Sequence, residues 1–437
     1  MRLKVFGGSP TRVTLGAMPP RQRPRPKDRK ESIALVAARL FCARGYHNVG
    51  IEDIAREVGI TGPAIYRHYP TKQDVLAAAV RELGLRFAEC VESGAEGDTP
   101  ADRLRAVLRA LVRYGLERRT VARLYQWEGR HLDAERQAAL AVPFDRAVRT
   151  LRGLLLGVRP GLSRRDAALL VAAALSVIAS PATHRAALAR AKAERTLLDC
   201  VDAVLAVDLP APPAEPPPRR PPDRFALLPR RERLLAEAVR LFHEHGYHQV
   251  SMADIGRAAG ITASSVYTHF TGKAELLAAA YDRATGRLEH AAAEALVGAG
   301  SPGRALHRLV DTYVRLTFAH ADLAAVYVSE SENLAPPDLR RLRAAQRRHV
   351  DTWVGLVAEL RPGEEPAAIR FRVHAALNVV TDLARSAGPS VTEARTAALL
   401  GPMLAPPPAG EVDSEAEAGR AAGVSPAAGA PSGRRWR

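Results

Sequence analysis

The chain repeats itself, and this constrains its fold more than any other feature. Residues 30–80 align without a gap on residues 231–281, at an offset of 201, with 22 identities in 51 positions. The strongest agreement lies in Gly45-Tyr46-His47 against Gly246-Tyr247-His248, Asp53-Ile54 against Asp254-Ile255, and Gly59-Ile60-Thr61 against Gly260-Ile261-Thr262. A weaker likeness continues at an offset of 202. Leu124-Tyr125-Gln126-Trp127-Glu128 matches Val326-Tyr327-Val328-Ser329-Glu330, and Ala173 to Ile178 matches Ala375 to Val380. A unit of about 200 residues is a domain-sized copy, far longer than the repeat of a solenoid. The chain therefore reads as two consecutive units. A proline-rich stretch between them, within residues 208–227, suits a stiff polyproline II spacer.

Each unit reads as all-helical. Ala, Leu and Arg abound while aromatics make up 5% of the 437 residues, a mix that favours helix over sheet. Ile33, Val36, Ala37, Leu40 and Phe41 fall at three- and four-residue spacing, one apolar face of a helix. Gly45 supplies the left-handed residue that ends it. Leu234, Ala238, Leu241, Phe242 and Gly246 repeat the pattern. The expected layout is a basic arm over 1–26, a helical head over 27–80, a helical bundle over 81–207, the linker, a second head over 228–281, a second bundle over 282–404, and a disordered tail after that.

The next helix is expected at residues 51–58. Ile54, Ala55 and Val58 face inward, and Ala55 is small where another helix must come close. Gly59 then permits a positive φ, Ile60 fills the corner, Thr61 stands at an N-cap position, and Pro63 suits a first helical turn. Ile65 and Tyr69 close the core. In the second copy Ile255, Gly256, Gly260, Ile261, Thr262, Val266 and Phe270 hold the same roles, and Ser251 with Asp254 forms a capping box. This is a helix-turn-helix, whose second helix enters a DNA major groove by its N-terminal end. The formal net charge of +16 agrees with a polyanionic partner, although a solvated arginine-rich surface would carry the same charge.

Gly45-Tyr46, Asp53-Ile54-Ala55, Gly59-Ile60-Thr61, Ile65-Tyr66-Arg67-His68-Tyr69, Lys72 and Leu76 together resemble the head of the TetR/AcrR family. Gly246-Tyr247, Asp254-Ile255, Gly260-Ile261-Thr262, Val266-Tyr267-Thr268-His269-Phe270, Lys273 and Leu277 resemble it again. The tandem layout is similar to two-unit TetR regulators of mycobacteria and their relatives. The resemblance implies that Thr61, Gly62, Pro63, Ala64 and Arg67 face bases or the adjoining backbone, and that Tyr66, His68 and Lys72 hold phosphates. In the second copy it implies Thr262, Ala263, Ser264, Ser265 and Thr268 for bases, with Tyr267, His269 and Lys273 for phosphates. The alternatives are a core role for the tyrosines, a structural one for the histidines, and plain solvation for the lysines.

The bundles are expected to dimerise and to bind an effector. The apolar runs at residues 167–179 and 367–383 are the natural interface helices, which would make one chain a pseudo-dimer. Tyr125, Trp127 and Glu128, with Tyr327 and Glu330, combine aromatic surface with a carboxylate, as ligand sites do. The resemblance points to a hydrophobic effector of the lipid, sterol or acyl-CoA type. The sequence carries no Gly-rich phosphate loop, no GxSxG, no HExxH and no metal-spaced Cys/His set. The three cysteines, Cys42, Cys90 and Cys200, form no CxxC pair. The first 18 residues lack the apolar core of a secretory signal, and the longest apolar run is short for a membrane span. A cytoplasmic regulator that meets double-stranded DNA is the reading these features favour; an architectural DNA-binding protein without effector control is the alternative.

Overall fold

The computed structural model describes residues 26–94, 97–119, 132–212, 228–386, 388 and 390–406. The expected basic arm up to residue 25, most of the linker, the tail after residue 406, and Tyr125, Trp127 and Glu128 lie outside them.

Among the described residues the regular structure is helical. The first unit contains α1 (Pro26–Arg44), α2 (Ile51–Val58), α3 (Gly62–Tyr66), α4 (Lys72–Ser93), α5 (Pro100–Glu117), α6 (Ala134–Val158), α7 (Arg164–Ala179) and α8 (Arg190–Leu205). The second contains α9 (Arg230–His245), α10 (Met252–Ala258), α11 (Ala263–Tyr267), α12 (Lys273–Leu296), α13 (Pro302–Ala319), α14 (Ala321–Glu330), α15 (Pro336–Leu360), α16 (Pro366–Arg385) and α17 (Glu393–Leu404). Each helix described in the first unit has a counterpart in the second.

Each head has its own core. In the first, Ile33, Ala37 and Phe41 of α1 meet Ile54 of α2, Ile65 of α3 and Val75 and Leu76 of α4, all fully buried. In the second, Leu234, Phe242, Ile255, Val266, Phe270 and Leu276 play those parts. Helices α4 and α12 run on without a break from head to bundle, so each head is rigidly joined to what lies behind it.

The bundles share one core. Leu170, Ala173 and Val177 of α7 and Leu197, Val201 and Val204 of α8 are contiguous with Phe371, Ala375 and Val379 of α16 and Leu399, Leu400 and Met403 of α17. Helix α16 packs on both α7 and α8, and α8 packs on α17. Burial on both sides explains the apolar run of α7. Arg164–Ala182 is apolar enough by composition to cross a membrane, yet 61% of its most apolar window is buried inside the protein. At the middle of this seam two equivalent positions meet, Asn378 Nδ2 donating to the Ser176 carbonyl at 2.8 Å. The seam also holds charge. Arg395, 1% exposed, pairs with Asp166, and Arg372 pairs with Asp199 at 3.2 Å and with Glu364 at 2.6 Å.

Candidate nucleic-acid interface

Local chemistry builds each helix-turn-helix. Helix α2 ends at Gly59, whose φ of +77° only glycine adopts at low cost; Gly260 repeats it at +70°. Ile60 N donates back to the Ala55 carbonyl at 2.9 Å, and Ile261 N to that of Gly256 at 2.9 Å, which closes the turn in both copies. Ser251 and Asp254 form the expected box: Asp254 N donates to Ser251 Oγ at 3.1 Å, and Ser251 N to Asp254 Oδ2 at 3.0 Å. The first copy has Gly50 at this place and keeps half the box, Gly50 N donating to Asp53 Oδ2 at 2.9 Å.

Close packing of α2 on α3 is solved differently in the two heads. A Cβ at Gly62 would lie 1.9 Å from the Glu52 carboxylate, so Gly62 is buried beneath that side chain. The second copy has Ala253 opposite Ala263 at these places. Its own close approach is at Gly256, where a Cβ would meet Val266 at 2.8 Å.

The side chains expected at DNA divide clearly. Tyr66 and Tyr267 are 52% and 56% exposed at the ends of α3 and α11, which removes the core reading of both. Arg67, Pro63, Thr61, Thr262, Ser264 and Thr268 are exposed or half-buried around them, and Ala64, Ala263 and Ser265 lie on the same short helices. Thr61 sits at the N-cap of α3 but makes no side-chain capping bond, whereas Thr262 Oγ1 accepts from Ser265 N at 3.3 Å. Thr268 Oγ1 donates to the Ser265 carbonyl at 2.7 Å, so its one proton is committed to its own helix. His68 and His269 follow one residue after Arg67 and Thr268, at the ends of the recognition segments.

The lysines are not loosely solvated. Lys72 Nζ lies 4.3 Å from the centre of the Tyr46 ring, and Lys273 Nζ lies 4.6 Å from that of Tyr247. Lys273 Nζ also donates to the Tyr247 carbonyl at 2.8 Å, and burial holds its pKa below the usual lysine range. Cation–π contact with the tyrosine of the Gly-Tyr-His turn therefore fixes each ammonium at the start of α4 or α12. His47 and His248 of those turns meet between the heads, with ring centres 4.9 Å apart. The identity of Gly-Tyr-His in both copies is visible in the sequence, whereas its use is not. Recurrence of an aromatic pair in a turn was the available signal.

Behind the second head lies an open cavity of about 1000 Å³. Helices α12 to α16 wall it, and residues 182–186 of the first unit complete it. Tyr327 lines it, in edge contact with Tyr281 at 5.5 Å. Glu330 does not line it. Its buried carboxylate accepts from Asn333 Nδ2 at 2.8 Å and lies against the turn at Gly246 and Tyr247.

Two such heads on rigid helical bundles define a helix-turn-helix protein duplicated within one polypeptide. Residues 33–79 and 234–280 each match the model of bacterial regulatory proteins, tetR family. The HTH-type transcriptional regulator BetI of Rhizobium meliloti (strain 1021) is 30% identical over 143 residues, which span 32% of this chain and 70% of that protein. The HTH-type transcriptional regulator EthR of Mycolicibacterium smegmatis is 30% identical over 89 residues, 20% of this chain; the match spans 41% of EthR's length. Among solved structures, the TetR family regulator PfmR of Thermus thermophilus aligns at 26% identity and a TM-score of 0.36, covering 41% of this chain and 97% of PfmR. The chain belongs to the tetR family of bacterial regulatory proteins, with the family's head present twice.

Proposed function

We propose that this protein is a sequence-specific DNA-binding transcriptional regulator, a repressor released by an effector, whose two unequal heads read one asymmetric or imperfectly palindromic operator. The observation that carries the reading is the paired exposure of Tyr66 and Tyr267 on short second helices, each followed six residues later by a lysine held against the tyrosine of a Gly-Tyr-His turn. In this reading Thr61, Gly62, Pro63, Ala64 and Arg67 meet bases or adjoining backbone in one half-site, and Thr262, Ala263, Ser264, Ser265 and Thr268 do so in the other. Tyr66, His68, Lys72, Tyr267, His269 and Lys273 hold phosphates, contacts that set register without reading sequence. Such a protein works in the cytoplasm, on double-stranded DNA, without catalysis. The open cavity favours effector control over a purely architectural role, for which filled bundle cores would suffice. Tyr327 belongs to its wall, and Glu330 links the end of α14 to the turn that orients Lys273.

Selection of random duplexes by the purified chain tests this reading. The expected product is one motif with two dissimilar halves, bound with an affinity that falls steeply with salt. Enrichment of no motif would overturn it.

A further inference from the structure

The seam between the bundles keeps the two-fold arrangement of its helices but not the symmetry of its charges. The offset of 202 holds through it residue by residue. Every residue buried on α7, from Ala167 to Ile178, stands 202 positions before one buried on α16. Ala193, Leu197 and Val201 of α8 stand in the same way to Arg395, Leu399 and Met403 of α17. Two identical faces related by a two-fold axis make each contact twice. The ion pairs across this seam are each made once. Arg395 pairs with Asp166, whereas the reciprocal positions hold Ala193 and Ala368. Arg372 pairs with Asp199 at 3.2 Å, whereas the reciprocal positions hold Leu170 and Gly401. The Arg119 guanidinium lies 5.3 Å from the centre of the Phe371 ring, and Ala321 and Leu169 stand at the reciprocal places.

The two pairs built on buried arginines have one polarity. Both acids belong to the first unit and both arginines to the second. Lys192 and Glu365 run the other way, but that pair is half-exposed, and exposed ion pairs contribute little. Arg395 is 1% exposed and Arg372 is 6% exposed. A guanidinium keeps its charge when buried, so it needs an anion there. Two second units set face to face in this register would place Arg395 opposite Ala368 and Arg372 opposite Gly401. Arg372 would keep Glu364 of its own unit at 2.6 Å. Arg395 would keep the Ser390 carbonyl at 2.8 Å, an uncharged acceptor. Two first units face to face would place Asp166 opposite Ala193 and Asp199 opposite Leu170. Water still reaches both acids, so the exclusion is strongest for two second units.

We infer that the seam is a pairing code, which joins a first unit to a second and refuses two second units, with Arg395 on Asp166 and Arg372 on Asp199 as its specificity-determining residues. Each closed seam then carries one Arg67 head and one Thr268 head. A second copy of the chain can enter only crosswise, its arginine face on this copy's acidic face. The pairing rule rests on the seam alone; its consequence for operator choice rests on the proposed function above.

A protease site placed within residues 213–227 of the full chain separates the units after folding. The cut protein is unfolded in urea, diluted, and weighed by native mass spectrometry. Complexes with one fragment of each kind are expected, without dimers of the second fragment. The same chain with Arg372→Leu and Arg395→Ala, which copy the equivalent residues of the first unit, should yield dimers of the second fragment as well. Such dimers from the unaltered seam in the share that chance gives, or none from the altered one, would overturn the inference. A second measurement on the uncut chain needs no reassembly. Asp166→Arg and Arg395→Glu each set like charges opposite one another and should lower the urea midpoint. Combined, they exchange the charges, and the midpoint should rise above that of either single variant. A combined midpoint at or below either single one would overturn the code. Neither measurement contains DNA, so failure here leaves the regulator reading intact, and a failed operator selection leaves the pairing rule intact.

Discussion

Arg67 and Thr268 occupy the same position in the two heads, one residue past α3 and α11, and their chemistry is opposed. A guanidinium can pair bidentately with guanine O6 and N7, a contact that discriminates by about 1–3 kcal/mol. The Thr268 hydroxyl already donates to the Ser265 carbonyl at 2.7 Å. Arg67→Ala is therefore expected to relax base preference in one half-site and leave the other intact, with Thr268→Ala nearly silent. Binding to a panel of single-base operator variants reads this directly; equal relaxation in both halves would refute it. The lysines should behave differently. Lys72 is held 4.3 Å from the Tyr46 ring and is proposed to hold a phosphate, which carries no sequence. Lys72→Gln should weaken all duplexes alike and reduce the slope of log affinity against log salt by about 0.9. Anisotropy titrations at several salt concentrations measure that slope.

The elements were legible to different degrees. Residues 51–58 and the two glycine turns follow from local pattern, because a positive φ and a capping box are demands a few neighbouring residues must meet. The interface helices were legible as apolar runs, since burial on two sides leaves no polar face on α7. The cavity was not. His184, Tyr313, His349 and His374 lie on the segment after α7 and on α13, α15 and α16, and no period within one helix connects them. Glu330 was legible as a buried carboxylate, but which neighbour it faces depends on how α14 docks on α9. Buried charge in the seam was equally invisible, and it is testable. Arg395 is 1% exposed, with Asp166 of α7 as its ionic partner. Removing one member of a buried pair strands the other, at a cost of about 3–5 kcal/mol. Asp166→Asn strands the more deeply buried member. Arg395→Met keeps an unbranched apolar stem and leaves Asp166 with its Ser163 bond at 2.7 Å. Urea unfolding should show Asp166→Asn as the more damaging change; the reverse order would contradict this account of the seam.

At the scale of the whole molecule, the shared core makes the spacing of the heads a fixed property of one chain. Its stability should depend on pH in a defined direction. His374 and His349 are pushed down to about 4 and His184 to about 2 by burial, with Arg119 near His184 and Arg370 near His374 adding repulsion. The unfolded chain binds these protons near pH 6.5 and the folded one resists them. Stability is therefore full above pH 6.5 and falls as pH drops toward 4, by up to about 1.4 kcal/mol per pH unit for each ring. Urea midpoints across that range check the sign. The same rigidity bears on DNA. Helices α4 and α12 carry each head without a break from the bundles, the bundles share a core, and His47 meets His248 at 4.9 Å between the heads. A head pair on flexible tethers would follow its half-sites wherever a spacer moved them. This pair cannot. Half-sites recognised from one side of a duplex lie about 10–10.5 base pairs apart or a multiple of that. Inserting about five base pairs turns the second half-site to the far face of the helix. Affinity should then collapse to that of a single head, and inserting about ten should not restore it, because the rotation returns while the separation does not. A gel-shift series over spacer lengths distinguishes the two pictures. Tolerance of the ten-pair insertion would mean that the seam, or the histidine contact between the heads, opens on DNA.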